Sequence, residues 1–196
     1  MSIGVSRREL VTGTVFALAG LIAGVTIPLE RAQAECMFPE NEGLDESAVN
    51  QRFIQMAQTY SEGDTLSPSD REFVDLYATP SGSRKTDTIY GSRYYNGATY
   101  EIMGNAYQNG VGDYELGATI QAGSGQSVSQ KISIYCGYIG YYLDTVTHNY
   151  SQTYTGYNRN WFTAEFYDQY VGFTTSYRFF YSATITTADG NILSVS

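Results

Sequence analysis

Lysine occurs only at Lys85 and Lys131 and histidine only at His148, and Lys plus Arg number 11 against 20 Asp plus Glu. With a formal net charge of -9 and no basic cluster outside the N-terminus, the chain lacks the cationic patch that nucleic-acid binding requires. Two cysteines without a CxxC, beside one histidine, cannot make a four-ligand zinc site. The GxSxG, HExxH, P-loop and dinucleotide fingerprints are absent, as is the spaced Asp/Asn run of a calcium loop. The sequence therefore asks for no metal and no cofactor, and it names no catalytic residue. A lone histidine on a mixed strand face, His148 beside Val146 and Tyr150, reads as structural. No repeat of solenoid length is present.

What is abundant is glycine, 20 residues, and tyrosine, 19, a balance that favours strands and turns. The length of 196 residues suits one ordinary domain with a sizeable core.

The N-terminus reads as an address. Ser6-Arg7-Arg8-Glu9-Leu10 precedes an uncharged stretch from Val11 to Ile27, followed by Pro28, Arg31 and the small-x-small triplet Ala32-Gln33-Ala34. The SRREL segment, the moderate glycine-bearing apolar stretch and Arg31 resemble a twin-arginine (Tat) signal peptide over residues 1–34. That resemblance implies recognition of Arg7 and Arg8 by the Tat export machinery, cleavage after Ala34 and a secreted or otherwise extracytoplasmic protein. The apolar stretch is shorter than the roughly 20 residues that span a bilayer. Glu35 stands where a lipoprotein signal wants a small residue, which disfavours a lipid anchor on Cys36.

Residues 35–83 form an acidic segment with two predicted helices. Asp45 caps one with Ala48, Phe53, Ile54, Met56, Ala57 and Tyr60 along its apolar side. Ser67-Pro68 opens a second, whose stripe is Phe73, Val74, Leu76 and Tyr77, before Pro80-Ser81-Gly82-Ser83 breaks it. Over residues 84–196 the hydrophobic period falls from near 3.6 to 2, and eight strands are expected near 87–95, 98–107, 114–122, 127–138, 141–154, 160–168, 171–187 and 191–195. Phe180 is the one exception to the alternation of the long seventh strand. Short connections predict antiparallel neighbours. The fold class is mainly β, an antiparallel β-sandwich with an eight-stranded up-and-down barrel as the alternative, preceded by two short helices covering an end or edge.

In ISIYCGYIGYYLD (132–144), Ile132, Ile134, Cys136 and Tyr138 share one face, while Gly137 and Gly140 mark a bulge or corner. Tyr141 and Tyr142 then point opposite ways, so one of them faces outward or into a pocket. A Cys36–Cys136 disulfide is expected outside the cell. The binding candidate is Tyr154, Tyr157, Asn158, Arg159, Asn160 and Trp161, a predicted loop that sets aromatic faces beside amide and guanidinium donors.

Three functions remain open to the chain. The leading one is a non-catalytic β-domain that binds a glycan or protein at the cell surface, or joins a surface assembly, with self-association among its partner classes. The second is a secreted toxin, bacteriocin-like or pore-forming protein shielded by the acidic segment until that segment is removed. The third is a hydrolase using a carboxylate pair drawn from Glu101, Asp113, Glu115, Asp144, Glu165 and Asp168.

Overall fold

The computed structural model describes residues 36–81, 85–109 and 113–196; the signal-type segment and its Arg7, Arg8 and Ala34 lie outside the described residues. The described residues form one compact unit.

The two helices start where their caps lie. The Asp45 carboxylate accepts from the Ala48 N–H at 2.8 Å and opens α1 (Glu46–Thr59). Ser67 caps α2 (Pro68–Tyr77), with proline in the first turn where no backbone donor is needed. Nine strands follow: β1 (Thr79–Pro80), β2 (Lys85–Tyr95), β3 (Ala98–Asn109), β4 (Asp113–Gly123), β5 (Ser129–Tyr142), β6 (Thr145–Arg159), β7 (Trp161–Val171), β8 (Ser176–Thr186) and β9 (Ile192–Val195). They lie in two antiparallel sheets. Sheet A has the order β1-β8-β5-β6 with β9 also on β8, and sheet B has the order β2-β3-β4-β7.

The fold is thus a sandwich, and the barrel alternative is set aside because the strands divide between two separately ordered sheets. All eight expected strands are present, and β1 is an addition. Neighbours in sequence are not always neighbours in space. The β4–β5, β6–β7 and β7–β8 connections pass from one sheet to the other, so β4 pairs with β7 and β5 with β8.

The inter-sheet core is built from alternate residues of both sheets, among them Ile102, Ile120, Ile132, Ile134, Cys136, Tyr138, Phe166, Phe179 and Ile185. A second core lies on the outer face of sheet A. There Val49, Phe53, Met56, Leu66, Phe73 and Val74 from the helical segment meet Ile139, Tyr141, Val146 and Phe180. The helices therefore cover a sheet face and not an end or edge. Phe180 breaks the alternation of β8 because both faces of that strand are buried.

The expected disulfide is absent: both thiols are free. Cys36 donates to Glu72 Oε1 on α2 at 2.7 Å. Cys136 is fully buried on the opposite, inter-sheet face of sheet A, so the sheet itself stands between the two sulfurs. Among the described residues no helix is long and apolar enough to cross a membrane.

Candidate functional site

The segment expected to form a binding loop is mostly strand. Asn160 alone separates β6 from β7, and it turns the chain from sheet A to sheet B. Asn158 takes a left-handed backbone at φ 51, and the Asn160 carbonyl accepts from Ser124 N–H at 2.8 Å. This corner scatters the candidate side chains. Tyr154 is half-buried against the inter-sheet core, with its hydroxyl 2.6 Å from Gln152 Oε1. Tyr157 is exposed on sheet A. Arg159 folds back, donating from Nε to the Tyr157 carbonyl at 3.2 Å with its guanidinium 5.5 Å from the Phe162 ring centroid. Trp161 starts β7 beside Gly123, in sheet B.

Tyr141 and Tyr142 stand near the other end of β5, roughly 40 Å along the strand from the Ser129–Arg159 pair. Tyr141 is fully buried beneath α1, its ring 6.5 Å from Phe53, and Tyr142 is half exposed. The predicted residues do not converge on one site.

The bulge expected near Gly140 is real, but the extra residue lies in the partner strand. Gly140 pairs with His148 and Tyr141 with Val146, leaving Thr147 unpaired. The bulge reverses the parity of β6, so Val146 enters the helix-facing core while His148 turns between the sheets. His148 Nε2 lies 2.5 Å from Asp168 Oδ2 on β7, and its Nδ1 lies 3.4 Å from Glu62 Oε1 in the α1–α2 connection. One imidazole thus ties both sheets and the helical segment together. The inter-sheet cavity beside it, lined by Gln108, Tyr138 and Tyr170, measures about 10 Å³. That is room for one water molecule and not for a substrate.

Neither thiol is poised as a nucleophile. Donation to Glu72 raises the Cys36 pKa, and burial pushes Cys136 up to about 12. Glu101 and Glu115 do not pair with Glu165 for hydrolysis either. From the strand register, Glu165 lies roughly 14 Å from Glu115 and roughly 17 Å from Glu101, beyond the spacing that glycosidase pairs use. Asp168 is occupied by His148.

The feature that sequence reasoning missed is the outer face of sheet B, on which no helix of the second core packs. Its positions alternate with core residues on every strand. They bring Tyr90 and Tyr94 from β2, Tyr107 from β3, and Trp161 and Tyr167 from β7 to one side. Tyr90 is 59% exposed, Tyr167 56% and Tyr107 39%. Tyr107 and Tyr167 both pair with Gly117, and a Cβ on that glycine would stand 2.4 Å from the Tyr107 ring, so only glycine lets the ring lie over the strand. Between the rings stand Glu101, Asn105, Glu115, Gln121 and Glu165; the face carries no Lys or Arg among its described residues. The missed signal was tyrosine at polar positions of the alternation. No family model matches the chain, and no curated protein or solved structure matches it.

Proposed function

We propose that the chain is a Tat-exported, extracytoplasmic β-sandwich that acts without catalysis, binding a glycan or protein at the cell surface or taking part in a surface assembly. The observation that carries this reading is the asymmetry of the two sheets: helices bury much of the outer face of sheet A, whereas that of sheet B is left open and studded with tyrosine. An apolar ring with a hydroxyl tip, set among amides and carboxylates, is the usual material of a recognition surface. The solid core supports a surface site over an internal one.

The shielded-toxin reading is less well supported, because the acidic segment supplies half of a core whose other half, Ile139, Tyr141, Val146 and Phe180, is inaccessible to solvent. The carboxylate spacing disfavours the hydrolase. Self-association remains open to the long β2 edge of sheet B.

Cell fractionation with surface biotinylation tests the proposal. The protein is expected outside the cytoplasm, shortened by 34 residues by mass, and Arg7→Lys with Arg8→Lys is expected to hold the precursor inside. A full-length cytoplasmic protein with native Arg7 and Arg8 would overturn it.

A further inference from the structure

We infer that the open face of sheet B binds an uncharged polysaccharide chain, an inference that rests on reading this face as the binding face. The inter-sheet cavity beside His148, at about 10 Å³, cannot hold a sugar, and the larger clefts of about 220–400 Å³ open at the surface. The ligand must therefore lie on the surface, and the outer face of sheet B has the chemistry for one kind.

A pyranose presents an apolar C–H face and a rim of hydroxyls. The first packs on an aromatic ring, and the second exchanges hydrogen bonds with carboxylates and amides. Both partners are present together. Tyr107 on β3 and Tyr167 on β7 flank Gly117 of β4, so their rings rise on either side of one strand that carries no side chain between them. Tyr90 donates to Glu101 Oε1 at 3.4 Å, which holds a ring and an acceptor side by side.

Charge selects among ligands. Glu101, Glu115 and Glu165 stand on a face without a described cation, so a phosphate, a uronate or an anionic lipid meets only like charge. The same carboxylates, no two closer than roughly 14 Å, are too dispersed to clasp one cation between them and act singly, as acceptors for hydroxyls. Size selects a polymer. Four strands about 4.8 Å apart and some nine residues long give a floor of roughly 14 by 30 Å, enough for several sugar units and far more than one needs.

The test is retention of the full-length protein on insoluble cellulose, chitin and β-1,3-glucan at low and at 1 M salt, with polylysine-agarose and polygalacturonate as charged probes. Retention on at least one neutral polymer, unaffected by salt, is expected. Tyr107→Ala and Tyr167→Ala should each weaken it about tenfold or more, the loss of one good stacking contact. Tyr157→Ala, on sheet A, should leave it unchanged. Because Tyr107 also covers Gly117, Tyr167→Ala is the cleaner variant.

Failure on every neutral polymer would overturn the polysaccharide. If Tyr167→Ala then abolished salt-sensitive retention on polylysine, the open face would stand as the binding face for a cationic partner. Retention on a neutral polymer lost in Tyr157→Ala but kept in Tyr167→Ala would overturn both the ligand and the face.

Discussion

The side chain of Asn50 in α1 completes the backbone of Tyr181 in β8: its Nδ2 donates to the Tyr181 carbonyl at 2.6 Å, and its Oδ1 accepts the Tyr181 N–H at 3.0 Å. On this side of β8, β1 pairs at Tyr177 and β9 begins at Ala183, so one carboxamide fills the gap that both strands leave. The helical segment is thereby part of the hydrogen bonding of the sandwich. Asn50→Leu should orphan two buried backbone groups and cost about 2–5 kcal/mol in urea unfolding. A cost below about 1 kcal/mol would mean that the helix is merely laid on the sheet.

Phe180 tests the second core. It is fully buried and faces the helices, and truncation to alanine should cost about 3–5 kcal/mol. The same variant should make the helical segment more sensitive to limited proteolysis, because the helices lose their seat. Unchanged stability would place the helices outside the cooperative unit.

Asp70 sets the acid limit of the helical segment. Burial raises its pKa, but hydrogen bonds from Tyr60 and Ser67 at 2.7 Å and from Arg52 at 3.0 Å outweigh that, and its carboxyl is held below the ordinary value of 3.8. As pH falls, the unfolded chain takes up the proton before the folded one. The stabilisation is therefore whole well above 3.8 and is lost as pH drops through the folded value. Asp70→Asn should lower stability at pH 7 and flatten its dependence between pH 5 and about 2, read by thermal melts. An equal acid slope in both proteins would contradict this.

The hydroxyl of Tyr141 is buried and meets no hydrogen-bond partner among the described residues. Tyr141→Phe removes only that group, so it should be neutral or stabilise by up to about 1 kcal/mol. A loss above 1 kcal/mol would reveal a partner for the hydroxyl.

These residues also show how far the sequence could be read. Asp45 and Ser67 were legible as caps because the helix needs a side-chain acceptor there, and both accept. The alternation of β4 and β8 was legible because strand parity sorts core from surface, and Leu116, Ile120, Phe179 and Ile185 face the inter-sheet core. Phe180 was the visible trace of a second covered face, but one exception cannot say which element covers it. The turn of His148 toward Asp168 was not legible, because the unpaired Thr147 reverses parity without any glycine to mark it. Pro80 read as the start of a helix breaker, and only the edge of β8 makes Thr79–Pro80 a strand. The pairing of Cys36 with Cys136 was drawn from compartment alone, whereas the cysteines face opposite sides of sheet A. Tyr90, Tyr107 and Tyr167 occupy polar positions of their strands, but only the sheet order β2-β3-β4-β7 gathers them on one face.

The most direct measurement is the affinity of labelled protein for the surface of the cells that produce it, compared between the native chain and Tyr107→Ala with Tyr167→Ala. The account predicts binding weakened at least tenfold with the fold intact by circular dichroism. Equal affinity, or a loss confined to Tyr157→Ala and Arg159→Ala, would contradict it.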